Sequence, residues 1–167
     1  MKLPIWLTAT LLSISVTTIA DETIDISPAS VTWLKPENYR DVRTPAGSQK
    51  RYQEQVFQIL SEQFSDMARI YLNSGQALSV EVIDLNLAGQ TRFSSNTGQP
   101  FRILTSLTPP SISFSYQIRQ DEMVIKSDAV RLTDLNYQAS VFGINRDRVL
   151  VYEKQLIRDW ARKTLKN

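Results

Sequence analysis

Three aspartates carry most of the chemistry that this sequence could perform. Asp41, Asp84 and Asp134 each close or leave a stretch with strand character. If those strand ends converge, the carboxylates would form an acidic cluster, and paired carboxylates can divide general acid and general base roles. The alternative is that each aspartate caps a separate turn, as Asp commonly does. The residue types therefore allow a carboxylate site and also allow three unconnected turns.

Polar and aromatic neighbours could complete a binding site around these carboxylates. Arginines could neutralise an acidic cluster, and guanidinium–carboxylate pairs would then make it structural. An aromatic side chain could line a pocket, although aromatic rings more often fill cores. We assign no catalytic residue from the sequence. The candidate binding residues are Asp41, Asp84, Asn86, Arg102, Asp134 and Tyr137, and the arginines near them also include Arg40 and Arg43.

The segment DLNLAG superficially resembles the start of a calcium-binding loop. Asp84, Asn86 and Gly89 take the first, third and sixth places of such a loop. Ala88 stands at the fifth place and Ser95 at the twelfth, where a bidentate Glu is needed. We therefore predict no metal site and no cofactor here, and a structural role for Asp84.

The sequence contains neither cysteine nor histidine. This composition excludes disulfide bonds, the usual zinc sites, Ser-His-Asp triads and Cys-His pairs. The net charge of +2 is nearly balanced and gives no argument for nucleic acid as a partner. Catalysis, if there is any, must use Asp, Glu, Lys, Tyr, Ser or a metal held by oxygen ligands.

Residues 1–20 have the pattern of a secretory signal peptide. Lys2 supplies a positive charge, a mostly apolar run from Ile5 to Val16 follows, and small residues end at Ala20. The run is too short and too polar for a transmembrane helix, although an uncleaved anchor is the alternative. We predict one domain over residues 21–167, beginning at Asp21 and located in the periplasm, without stable membrane insertion after cleavage.

The central stretch of this domain is LSVEVIDLNLAG, residues 78–89. Its apolar residues alternate as far as Val82 and then change phase from Ile83 onward. Either a bulge re-aims the second half, or both faces of the strand are buried. In either case we predict a buried Asp84 that accepts at least two hydrogen bonds, because a buried carboxylate must be paired.

The elements around this strand predict an α+β fold. A helix over residues 49–72, capped by Ser48, has apolar residues at three- and four-residue spacing, and a final helix begins at Asn145. The helices should pack on one face of a mostly antiparallel sheet of four to five strands, because strict alternation over residues 111–118 leaves the other face polar. The predicted strands cover residues 31–34, 78–87, 101–104, 111–118 and 123–132, with loops over 34–48, 89–100 and 134–143.

Five segments in this order resemble a bacterial family of secreted proteins catalogued as domain of unknown function 3016. The likeness covers about residues 31–160. It departs from the family where DLAG becomes DLNLAG and where the PPxI segment ends in Ser. The resemblance implies a periplasmic α+β domain and no particular reaction. The segments are PENYRD (36–41), LSVEVIDLNLAG (78–89), PPSISFSY (109–116), LTDLNY (132–137) and YEKQLIRDW (152–160).

Two functions from different classes agree with these patterns. The first is a non-catalytic binding or accessory domain of the cell envelope, whose partner is an envelope protein or a small ligand. The second is a carboxylate-dependent periplasmic hydrolase that acts on an envelope glycan. The hydrolase needs two of the aspartates close together, within roughly 10 Å.

Overall fold

A computed structural model describes residues 21–44, 47–140 and 149–166. The predicted signal peptide and the predicted helix start at Asn145 lie outside these residues. The strands are Glu22–Ile26 (β1), Ala29–Trp33 (β2), Gln76–Asn86 (β3), Gln90–Phe93 (β4), Pro100–Ile103 (β5), Ser111–Gln120 (β6) and Met123–Thr133 (β7). The α-helices are Gln49–Tyr71 (α1), Tyr137–Ser140 (α2) and Val151–Thr164 (α3), and Pro36–Asn38 forms a single 3₁₀ turn.

The main sheet has five strands in the order β1-β2-β3-β6-β7. Its β2–β3 pair is parallel and its other pairs are antiparallel, so the sheet is mixed. Strands β4 and β5 form a separate antiparallel hairpin. The α+β prediction is confirmed. Strand β1 was not predicted, β4 occupies part of the predicted loop 89–100, and α2 occupies part of the predicted loop 134–143.

Helix α1 is the crossover that makes the parallel pair possible. Its N-cap is Ser48, whose side chain accepts a hydrogen bond from the Arg51 N–H at 3.4 Å, as predicted. The ring of Phe57 stacks on Trp33 of β2 with centroids 4.2 Å apart. The apolar stripe of α1 therefore faces the sheet, where it buries Val56, Leu60, Phe64 and Met67.

Helix α3 lies beside α1 on the same face of the sheet, over β6 and β7. Trp160 of α3 packs edge-on against Phe114 of β6, with ring centroids 4.9 Å apart, and also contacts Phe64 of α1. Helix α3 runs from Val151 to Thr164, with Leu150 as its N-cap. The prediction of two long helices on one face is confirmed.

A β-bulge in β3 resolves the change of phase that the sequence showed. The register against β6 shifts between Val82 and Asp84, so Ile83 is the extra residue and is 55% exposed. Leu85 and Leu87 return to the buried face after the bulge. Of the two alternatives, the bulge is correct.

The structure places Asp84 between buried and exposed, with the predicted arginine as its partner. The side chain is 27% exposed and accepts one hydrogen bond, from Arg40 Nη2 at 2.7 Å. The physical reason is the bulge, which turns Ile83 outward and leaves Asp84 beside Ser113 on the polar face of the sheet. Two hydrogen bonds to Asp84 were predicted, and the described residues supply the one from Arg40.

The face of the sheet opposite the helices carries small polar side chains. It holds a shallow hollow of about 490 Å³, whose lining includes Ser30, Thr32, Ser79, Ser115 and Ser127. Within residues 21–44, 47–140 and 149–166, no helix has the length and apolar character needed to cross a membrane.

Candidate functional site

Three of the six candidate residues are engaged with different partners in the structure. Asp84 pairs with Arg40. Asn86 donates from Nδ2 to the carbonyl of Pro109 at 3.1 Å. Asp134 accepts the backbone N–H of Asn136 at 2.9 Å, just before α2. Each of these three side chains is hydrogen-bonded to a neighbour of its own. The described residues contain no group of three acidic side chains placed to hold a metal ion.

Two other candidates, Asp41 and Arg102, do come together. Arg102 Nη2 donates to Asp41 Oδ2 at 2.8 Å, and the two side chains are 19% and 20% exposed. Arg102 Nε donates to the carbonyl of Ala88 at 2.8 Å. Because Asp41 follows the 3₁₀ turn and Arg102 lies in β5, this pair ties the β4–β5 hairpin to the loop before α1.

Glu153 is the residue of this cluster that the sequence analysis missed. It lies in the first turn of α3, is 3% exposed, and accepts the backbone N–H of Ala88 through Oε1 at 2.7 Å. Arg102 binds the carbonyl of the same residue, so Ala88 is held from both sides. The available signal was the helical spacing that puts Glu153 one turn before Ile157 on the buried stripe.

Burial governs the electrostatics of this cluster. Desolvation raises the pKa of Glu153, and the hydrogen bond from Ala88 and the charge of Arg102 oppose that rise. Burial also raises the pKa of Asp41, more than the neighbouring guanidinium of Arg102 lowers it. The pKa of the Tyr52 hydroxyl is raised by burial as well. The two carboxyl groups therefore hold their protons more readily than exposed ones do.

A cavity of about 220 Å³ opens next to this cluster. Apolar and aromatic side chains dominate its lining, and Arg102 and Glu153 are its charged members. The lining residues are Tyr52, Leu87, Ala88, Arg102, Leu104, Val149, Leu150, Val151, Tyr152 and Glu153. The last candidate, Tyr137, stands behind this wall, with its ring edge-on to Tyr152 at 4.8 Å and its hydroxyl donating to the carbonyl of Thr105 at 3.0 Å.

Two of the residues that line the cavity, Leu104 and Val149, are exposed apolar side chains. Leu107 is 89% exposed. The β4–β5 hairpin adds further exposed apolar groups. We call the exposed apolar residues of the cavity lining, of the hairpin and of the segment after it the rim, and they are Phe93, Phe101, Ile103, Leu104, Leu107 and Val149.

Gly89 allows the hairpin to approach the end of β3. Its φ of +78° lies in the left-handed region, and a Cβ atom there would come within 2.3 Å of the Ile103 carbonyl oxygen. Glycine avoids both the conformational strain and the clash. The close approach of Ile103 and Leu104 to the end of β3 therefore depends on this residue.

The arrangement is suited to binding an apolar group. The cavity is small, its walls are aromatic and aliphatic, and its carboxylate and guanidinium already have protein partners. Small apolar cavities with a few polar groups are typical of binding sites.

Residues 27–163 match the model of the family described as "Protein of unknown function (DUF3016)". No curated protein matches the chain, and no solved structure matches it.

Proposed function

The chain belongs to this DUF3016 family, and we propose that it is a non-catalytic binding domain of the bacterial cell envelope. Its ligand is an apolar side chain of a partner protein, which enters the cavity beside Glu153. The observation that carries the proposal is the apolar lining of that cavity together with two exposed apolar residues in it, Leu104 and Val149.

A domain that binds no partner would rarely expose as many apolar residues as the rim contains. Single exposed apolar residues are common on protein surfaces, but a contiguous patch next to a pocket is typical of an interaction site. Leu104 and Val149 are exposed and also line the cavity, and the exposed Leu107 follows Leu104 by three residues. Such a patch can supply the apolar contacts that exclude water around a central anchoring side chain.

The size of the cavity favours a side chain over a larger ligand. Pockets for drug-sized molecules usually measure about 300–1,000 Å³. The cavity beside Glu153 measures about 220 Å³, which suits one large apolar side chain. The rest of the partner would then lie on the rim.

The pattern of residues 1–20 supports the location in the cell envelope. A positive residue, an apolar run and small residues up to Ala20 are the features of an export signal. A binding domain that is exported to the periplasm would meet envelope proteins there.

The hydrolase alternative has less support from the geometry. It requires two carboxyl groups facing a common substrate, whereas Asp84 and Asp134 are engaged with Arg40 and Asn136. Glu153, with its raised pKa, is the carboxyl group on which that alternative now depends.

Site-specific photo-crosslinking in the native host tests the proposed function. A benzophenone amino acid replaces Leu107 in the full chain, and the same amino acid replaces Ile70 in a control. Ile70 is also an exposed apolar residue, but it lies at the far end of α1 from Tyr52. We expect Leu107 to yield one defined adduct and Ile70 to yield none.

A second change separates specific docking from general stickiness. Leu104→Asp places a charge at the mouth of the cavity and should remove the Leu107 adduct while the urea midpoint of the purified protein stays unchanged. Equal adducts from Leu107 and Ile70, or an adduct that survives Leu104→Asp, would contradict the proposal. Turnover in a hydrolase screen that disappears in Glu153→Gln would favour the enzyme instead.

A further inference from the structure

Strand β7 is a long and uncovered edge of the main sheet. It is the last strand in the order β1-β2-β3-β6-β7 and runs from Met123 to Thr133. Met123, Val124 and Ile125 are exposed apolar residues at its start. A long edge strand presents unpaired backbone groups and tends to pair with another strand unless something covers it.

The backbone of β7 shows which of its amides point to the free edge. Ala129 N–H donates to the side chain of Asp128, at 2.8 Å, so this amide is directed away from β6. Antiparallel strands alternate residues that bond to one neighbour with residues that bond to the other. Ser127, two residues earlier, therefore also presents its N–H and C=O to the free edge.

The charges on β7 are arranged symmetrically about Ser127. Lys126 precedes it and Asp128 follows it. These two residues stand opposite Ile118 and Tyr116 of β6, so both are on the helix-covered face of the sheet. The position of Lys126 is consistent with this, because its Nζ donates to the carbonyl of Thr164 in α3 at 2.7 Å.

We propose that β7 pairs antiparallel with β7 of a second copy of this chain, about a two-fold axis at Ser127. This register places Ser127 opposite its own counterpart as a hydrogen-bonded pair. Lys126 then faces Asp128 of the second copy, and Asp128 faces Lys126, in the non-hydrogen-bonded pairs where side chains approach most closely. The result is one continuous sheet of two copies.

In this pairing the Ala129 N–H exchanges its acceptor. In the single chain it donates to Asp128. In the dimer it turns to the backbone of the second copy, which releases the Asp128 carboxylate for Lys126 of that copy. Both charges thus find opposite charges across the interface, as a symmetric interface requires.

The other edge of the sheet does not have this complementarity. Strand β1 is short, and its charged residues are Glu22 and Asp25, with no lysine or arginine. Pairing β1 with itself would bring acidic side chains together without a basic partner. The charge pattern therefore selects β7 over β1, and it selects a second copy over an unrelated strand.

Charge reversal tests both the dimer and its register. Sedimentation velocity of the mature protein should show a dimer whose fraction rises with concentration, because an edge pairing alone buries less surface than a permanent interface. Lys126→Asp or Asp128→Lys alone should give monomer, since each places like charges opposite each other twice. Both residues are exposed, so the fold should be retained, and circular dichroism and the urea midpoint check this.

The double variant and a mixture of the single variants provide the decisive controls. Lys126→Asp combined with Asp128→Lys restores opposite charges and should restore the dimer. An equimolar mixture of the two single variants should form a mixed dimer, since each supplies the charge that the other lacks. A wild-type protein that stays monomeric, single variants that still dimerise, or a mixture that stays monomeric would overturn the proposal.

Discussion

Arg102 and Arg40 form ion pairs of nearly equal length, yet we expect very different losses of stability when each is removed. Arg102 Nη2 lies 2.8 Å from Asp41 and Arg40 Nη2 lies 2.7 Å from Asp84. The side chains of the first pair are 19% and 20% exposed, and those of the second are 56% and 27% exposed. Burial, and not distance, should decide the cost.

The structure sets the magnitude for each variant. Arg102→Ala strands the buried carboxylate of Asp41 and the carbonyl of Ala88. Removing one partner of a buried ion pair lowers the unfolding free energy by about 3–5 kcal/mol. Because this pair keeps some exposure, we expect a loss of about 3 kcal/mol, at the low end of that range. Arg40→Ala removes an exposed pair, so it should cost about 0.5 kcal/mol and no more than about 1 kcal/mol.

Urea unfolding at neutral pH measures both losses. At a slope of about 2 kcal/mol/M, the midpoint should fall by about 1.5 M for Arg102→Ala and by less than about 0.5 M for Arg40→Ala. The slope must be the same in all three proteins for this comparison. Equal shifts for the two variants would refute the reasoning from burial.

The pH dependence supplies a second check on Arg102→Ala. Burial raises the pKa of Asp41, and the charge of Arg102 opposes that rise. Without Arg102 the pKa of Asp41 should rise further, so the folded variant pays for an unpaired carboxylate only at pH values where Asp41 is ionised. The difference in unfolding free energy from wild type should therefore be largest at neutral pH and shrink as Asp41 becomes protonated.

Three further predictions concern Glu153, Gly89 and the N-terminus. Burial raises the pKa of Glu153 above its ordinary 4.5, so the contribution of this side chain to stability is lost as the pH rises from 4.5 through the raised pKa. Glu153→Gln should therefore become progressively more stable than wild type over that pH range. A difference in unfolding free energy between the two proteins that does not change with pH would contradict this. Gly89→Ala should lower the unfolding free energy by about 3 kcal/mol or more, because its Cβ would clash with Ile103. Gly98→Ala is the control, since Gly98 has a similar positive φ but open space around it, and it should lower the unfolding free energy by about 1 kcal/mol. Equal urea midpoints for the two variants would contradict the clash. Sequencing of the protein exported by its host should begin at Asp21, and a retained Met1 would contradict this prediction.

Local periodicity predicted those parts of the fold that depend on neighbouring residues. The alternation over residues 111–118 gave β6, and the three- and four-residue spacing gave α1 with its cap at Ser48. Strand β1 also alternates, but its five residues are too few to distinguish from a loop without their partner β2. The parallel pairing of β2 with β3 depends on contacts between distant segments, which a local pattern does not contain.

The sequence predicted some of the residues of the candidate site but not the contacts between them. Asp41 and Arg102 were both named, but their pairing depends on how the β4–β5 hairpin folds back onto the loop before α1. Glu153 is not among the predicted site residues, although its spacing from Ile157 puts it on the buried side of the helix, because its contact with Ala88 joins distant segments. Asp84 was expected inside because the sequence does not show which residue a bulge turns outward.

The position of α1 between β2 and β3 has a consequence for the order in which this domain assembles. The β6–β7 hairpin can form from its own turn, because its strands are neighbours in the chain. Val31 can reach Val80 only after the chain has closed a loop that contains the whole of α1, and such closure slows folding. The contact between Trp33 and Phe57 bridges part of this loop. Weakening that contact should therefore slow folding, whereas weakening the β6–β7 hairpin should mainly speed unfolding.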